Sequence, residues 1–279
     1  MNTPRSRFYQ LVFGCVVVLS IALASARAQS VLYIADGDSG STKMLQGIDT
    51  TTGNILFSVN TTVNSGDLPD ALAVTDSIWM ISRYSSPTSA NQYSLAGIST
   101  GQTVTLPTGL PSQFLDGTTD GINNYSLTWN GSSSVTVYKA NGDWTNPTVL
   151  FSTSSLGLTS DLAGIAYDMA SGNLWISGNT DIYQITLAGT VVSHFSHTGS
   201  RGGLAYQSST DTLWYVPNNS SSPLLQYSKT GTLLQSLTVT GRSGNVWGAE
   251  FSAIPEPSTY ALLALGAALV GIAYRRRRG

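Results

Sequence analysis

A tryptophan recurs at a constant distance from a small-residue strand, and this repeat restricts the fold more than any other feature. Gly164-Ile-Ala-Tyr-Asp and Gly203-Leu-Ala-Tyr-Gln lie thirty-nine residues apart, and eleven residues after each glycine comes Trp175 or Trp214. Ile182-Tyr-Gln-Ile and Leu224-Leu-Gln-Tyr follow, then Gly189-Thr-Val-Val and Gly231-Thr-Leu-Leu. Weaker copies lie upstream. One runs from Ala71-Leu-Ala-Val through Trp79 and Gln92-Tyr-Ser-Leu to Gly101-Gln-Thr-Val. Another runs from Phe114 through Tyr125 and Val135-Thr-Val-Tyr138 to Thr148-Val-Leu-Phe. The first unit has Val31-Leu-Tyr-Ile, Met44-Leu-Gln-Gly and Asn54-Ile-Leu-Phe but no opening strand. Trp247-Gly-Ala-Glu-Phe251, at the far end of the body, can supply it.

Four short strands per unit of about forty residues describe a propeller blade. The expected class is therefore all-β, with about five four-stranded blades. A C-terminal strand completing the first blade closes the ring and removes the unpaired edges of an open sheet. The wording Gly-Ile-Ala-Tyr-Asp…Gly-Asn-Leu-Trp-Ile resembles the blades of NHL, lactonase-type and YVTN-type propellers. Gly164, Ala166, Gly203 and Ala205 suit an inner strand crowded at the axis. Trp79, Trp175 and Trp214 occupy matching second-strand positions and are expected between neighbouring sheets. Trp144, in the turn-like Asn141-Gly-Asp-Trp-Thr-Asn-Pro147, is a better candidate for exposure than these three.

Charge narrows the partners. Residues 29–254 hold six basic and fourteen acidic side chains, a balance of −8 that the whole-chain value of −2 conceals. An acidic body with no basic stripe excludes nucleic acid. Cys15 is the single cysteine, so the mature body has neither a disulfide nor a thiolate.

Residues suited to chemistry are few. His194 and His197 have no nucleophile or orienting carboxylate nearby in sequence and read as surface residues at a strand end. Asp36-Gly-Asp38-Ser-Gly40-Ser41 begins like a calcium loop but has Gly47 where a bidentate glutamate is needed. Propeller ligands sit where loops lead into the inner strands. Asp70, Asp161, Arg201 and Asn245 occupy those positions and form the candidate ligand mouth. The lactonase-type resemblance implies a divalent ion held there by oxygens. Arg201 opposes a cation at the same mouth, and the body's only glutamate is Glu250. The sequence calls for no cofactor and no metal.

The two ends carry addresses. Arg5 and Arg7 precede an apolar stretch from Leu11 to Ala24, and Ala26-Arg27-Ala28 fits signal-peptidase cleavage. At the other end Pro255-Glu256-Pro257 precedes an uncharged apolar stretch from Tyr260 to Tyr274, stopped by Arg275, Arg276, Arg277 and Arg278. Cationic side chains stay on the cytoplasmic face, which orients such a helix. Ser258 to Tyr274 makes seventeen residues, about 25 Å of helix and at the short limit for a span. The triplet, helix and basic cluster together resemble the PEP-CTERM sorting signal of Gram-negative bacteria.

The expected organisation is a signal peptide over 1–28, a propeller-like repeat domain over 29–254 and a sorting signal over 255–279. The resemblance implies passage through the inner membrane, processing by an exosortase, and delivery to the cell surface or extracellular matrix. It also implies a non-enzymatic adhesive or glycan-contacting role linked to exopolysaccharide or biofilm. A binding module for a small ligand or peptide is the alternative, and a metal-assisted hydrolase or lactonase at the mouth is a further one.

Overall fold

A computed structural model describes residues 30–253, apart from 38–42, 62–67, 84–87, 109, 111–112, 130–134, 159–160 and 243–244. Ala26, Ala28, the Pro255–Pro257 triplet, Arg275–Arg278 and the calcium-like turn at 38–41 lie outside the described residues.

Five four-stranded antiparallel sheets form among the described residues. Blade 1 comprises β1 (Val31–Gly37), β2 (Lys43–Asp49) and β3 (Ile55–Asn60), with β20 (Asn245–Phe251) as its inner strand. Blade 2 runs β4 (Leu68–Val74), β5 (Ser77–Arg83), β6 (Ser89–Ser94) and β7 (Ser99–Thr105). Blade 3 runs β8 (Phe114–Thr119), β9 (Asn123–Trp129), β10 (Val135–Asn141) and β11 (Thr148–Ser152). Blade 4 runs β12 (Gly164–Asp168), β13 (Asn173–Ser177), β14 (Asp181–Ile185) and β15 (Val191–Ser196). Blade 5 runs β16 (Gly202–Gln207), β17 (Thr212–Pro217), β18 (Leu224–Ser228) and β19 (Leu233–Leu237). The expected late closure is present: β20 pairs antiparallel with β1, Leu32 opposite Phe251 and Ala35 opposite Gly248.

Burial follows strand order. Inner strands β8 and β16 are buried at every position, whereas outer strand β7 is almost wholly exposed. Trp175 and Trp214 lie buried between sheets as their spacing suggests, and Trp79 is partly buried. The indole N–H groups of Trp175 and Trp214 each find an acceptor at the end of their own inner strand: Trp175 Nε1 donates to Asp168 Oδ2 at 3.2 Å and Trp214 Nε1 to Gln207 Oε1 at 2.9 Å. Burying such a ring contributes at most about 4–6 kcal/mol by area.

Trp144 is not at the surface: it is 2 % exposed. The outer hairpin of each blade closes through a residue whose N–H donates to a carbonyl three or four positions back, as at Gly53, Gly97, Trp144, Gly189 and Gly231. All five have positive φ, and blade 3 alone uses a side-chain-bearing residue there, at φ 67°. Added Cβ atoms at Gly97 and Gly231 would strike Phe57 and Phe195 of the preceding blade, and one at Gly189 would crowd Phe151. Blade 2 offers no such phenylalanine to blade 3. Trp144 fills that space itself, in a cluster with Ala71, Ile81, Phe114 and partly buried Val104. The packed volume outweighs the left-handed backbone cost of roughly 1–2 kcal/mol.

Candidate functional site

The ring is closed at its axis by one carboxylate. Ala71, Gly164, Gly203 and Gly248 are the small residues on the inner strands of four blades. The third blade has Asp116 at the corresponding place. Its Oδ1 accepts the N–H of Gly117 at 2.8 Å and of Ala249 at 3.0 Å. Its Oδ2 accepts those of Ile165 at 2.9 Å and Leu204 at 2.8 Å. Four inner strands thus donate to one side chain that is fully buried. The space has to be small elsewhere for this to fit: an added Cβ at Gly203 would lie 2.9 Å from Ala249 Cβ, and one at Gly248 would run into the Asp70 carbonyl oxygen. Burial pushes the Asp116 carboxyl well above the usual range, and the four amides offset that only in part. Because every neighbour at these oxygens donates, a carboxyl proton would find no acceptor, and the geometry fits the anion. One layer along the axis, Thr118 Oγ1 accepts Tyr167 N–H at 2.9 Å.

The mouth lies at the end where the inner strands begin and the second strands finish. A cavity of about 350 Å³ opens between Asn179, Ser200, Arg201, Asn218 and Trp247. A smaller one of about 80 Å³ is lined by Arg83, Leu115, Trp129 and Asp161, and shares Arg201 and Trp247 with the first. Asp161 forms an ion pair with Arg201 and accepts from Asn179 Nδ2 at 2.8 Å. The Arg83 guanidinium carbon sits 4.7 Å from the centroid of the Trp247 ring, a cation–π contact. Its Nε lies 3.6 Å from Asp70 Oδ2. Arg242 donates to the Pro217 carbonyl at 2.8 Å, so all three arginines of the body gather at this end.

The structure brings Asp161 and Arg201 together and separates the other two expected mouth residues from them. Asp70 lies within β4, fully buried behind Arg83 and closed to a ligand. Burial pushes its carboxyl well above the usual range, Arg83 pulling the other way. Asn245 opens β20, exposed and bridged to Asn219, outside both cavity linings. Arg83, Trp129, Trp247 and Asp116 were not singled out from the sequence. The first two end second strands, which share the mouth with the inner-strand starts. Asp116 breaks the small-residue pattern of the inner strands.

The chemistry on offer is polar and anion-tolerant. Asp161 is engaged by Arg201 and Asn179, and Asp70 is covered by Arg83. A divalent ion would meet guanidinium groups before carboxylates, so the residues present do not fit a lactonase-type metal. No three His, Cys, Asp or Glu side chains are grouped to hold a metal among the described residues. His194 is exposed, but His197 is not a surface residue. It is 8 % exposed, its Nε2 is 2.8 Å from the Gly178 carbonyl, and its ring centroid lies 4.4 Å from that of Tyr215.

The chain leaves the propeller at the opposite end. Ser252 Oγ donates to the Thr75 carbonyl at 2.8 Å and Ala253 N–H to Val74 at 2.9 Å. β1 begins at that end too, since Leu32 pairs with Phe251. Asp49, Asp76, Asp120, Asp143, Asp168 and Asp211 lie in its turns. Lys229 bridges two of them, 3.1 Å from Asp168 and 2.5 Å from Asp211.

The body is thus a five-bladed, axis-sealed propeller with an arginine- and tryptophan-lined mouth at one end and both strand termini at the other. Its C-terminus, residues 253–278, carries the PEP-CTERM protein-sorting motif, which marks an exported protein sorted through the membrane with an exosortase as processing partner. No curated protein matches the chain. Similar solved structures include a functionally unknown protein from Desulfotomaculum acetoxidans, at 13% identity over 78% of this chain and 86% of that one, with a TM-score of 0.48. A gluconolactonase from Xanthomonas campestris is similar at 13% identity over 78% and 80%, with a TM-score of 0.47. A protein of unknown function from Bacteroides caccae is similar at 14% identity over 75% and 72%, with a TM-score of 0.46. Likenesses this distant carry no argument about activity.

Proposed function

We propose that this chain is a non-enzymatic module of the cell surface or extracellular matrix of a Gram-negative bacterium, and that it contacts exopolysaccharide through the propeller mouth. Its sorting motif supports delivery to that place. The observation that carries the binding role is the mouth itself: each acidic group there faces an arginine, while two tryptophans and two asparagines line the cavities. Aromatic faces with planar amides suit a polyhydroxylated ring, which has apolar C–H faces and hydroxyl edges. Ala253, the last described residue, lies at the end of the propeller opposite the mouth.

Co-sedimentation of the mature protein with matrix polysaccharide extracted from its own strain tests this reading. The expected result is retention that survives EDTA. Loss of retention on chelation would favour a metal-dependent site, and no retention at all would refute the polysaccharide contact.

A further inference from the structure

Resting on that glycan reading, we infer that the mouth selects a carboxylate-bearing sugar, a hexuronic acid unit, with Arg201 taking the carboxylate and Trp129 and Trp247 meeting the ring. The local charge is the first reason. Six basic residues serve a body of net charge −8, yet every arginine of that body is gathered at this one end. Arg83 and Arg242 are each 8 % exposed, whereas the Arg201 side chain is 51% exposed. Arg201 is therefore the guanidinium a ligand reaches.

The second reason is how Arg201 is held. Asp161 anchors it by one nitrogen and is itself steadied by Asn179. Among the described residues the other N–H groups of Arg201 have no protein acceptor. An oriented fork with donors to spare matches a planar carboxylate, which accepts two parallel N–H bonds. A neutral sugar would make no use of that fork.

The third reason is the rest of the lining. Trp129 is 42% exposed, and Trp247, stacked on Arg83, borders both cavities. Asn218 donates to the Val246 carbonyl at 3.2 Å, which fixes its amide and leaves its oxygen for a hydroxyl. Ser200 and Asn179 add further donors and acceptors around a cavity of about 350 Å³, the small end of the usual range for ligand sites.

Calorimetric titration of the mature protein with oligomers of galacturonate, glucuronate and mannuronate, and with the same oligomers after carboxyl reduction, tests the inference. At least one acidic oligomer should bind, its reduced form at least about tenfold more weakly, and Arg201→Gln should abolish that difference. Trp129→Ala, at an exposed position, should weaken acidic and reduced forms alike. Equal binding of acidic and reduced oligomers, or an Arg201→Gln protein that still discriminates, would overturn the carboxylate assignment and leave the glycan reading standing. Binding of none of these oligomers overturns the assignment. If the protein still sediments with its own matrix polysaccharide, the broader reading survives; if it does not, both fail.

Discussion

Asp116 Oδ2 accepts the backbone N–H of Leu204, eighty-eight residues further along the chain, at 2.8 Å across the axis of the ring. The same carboxylate takes the N–H of Ile165 from a third blade and of Ala249 from a fourth. One side chain thus ties together segments spread over more than half of the body. Asp116→Ala should leave these amides buried without acceptors and cost about 3–5 kcal/mol, read as a lowered urea midpoint. Asp116→Asn should also destabilise, because its NH₂ would face N–H groups. An unchanged midpoint in both variants would mean that the axis is held by something else.

Gly248 and Gly101 should respond differently to alanine. At Gly248 the methyl collides with the Asp70 backbone, and neither strand can move without breaking the axis. At Gly101, with φ +79° and nothing within 4 Å, only the backbone conformation is strained. Thermal melts should show a loss of about 3 kcal/mol or more for the first and about 1 kcal/mol for the second.

Trp144 is expected to be a core residue despite its turn. Trp144→Ala removes the volume that neighbouring blades supply with phenylalanine and should cost about 3–5 kcal/mol in chemical denaturation. A loss below about 1 kcal/mol would mean that its burial contributes little.

Stability should change with pH on both sides of the carboxylate range for separable reasons. Burial opposes ionisation of Asp168, but hydrogen bonds from Ser171, Lys229 and Trp175 outweigh it and hold the carboxyl below its ordinary value of 3.8. A depressed folded pKa contributes stability above 3.8 that is lost as pH falls through the folded value. Asp168→Asn should therefore flatten the acid limb of midpoint against pH. Glu250 is the reverse case: burial raises its carboxyl well above 4.5, opposed by a hydrogen bond with Thr118. Stability from such a group is present below 4.5 and declines as pH rises toward the folded value, so Glu250→Gln should lessen the decline in midpoint as pH rises above 4.5.

The blades were legible because they repeat a local pattern: a small-residue strand, an aromatic residue on the next that is tryptophan in blades 2, 4 and 5, and a glycine in the outer turn of every blade but the third. The late strand was legible too, since Trp247–Phe251 had no unit of its own and the first unit lacked an opening strand. Asp116 was not, because its role depends on the registry of five strands around an axis, and nothing in its neighbours states that registry. Trp144 misled because Asn-Gly-Asp is turn chemistry whether the next residue faces solvent or the adjacent blade. Asp161 and Arg201 were legible as strand-leading residues. Arg83 and Trp247 needed the knowledge of which strand ends share a face.

Mass spectrometry of the C-terminus of the mature, surface-extracted protein tests the central claim most directly. The account predicts a chain ending close to Pro255-Glu256-Pro257, with the Tyr260–Tyr274 stretch and Arg275–Arg278 absent, and an intact tail held in the inner membrane when the exosortase is deleted. A surface protein that still carries Arg275–Arg278 in wild-type cells would contradict it.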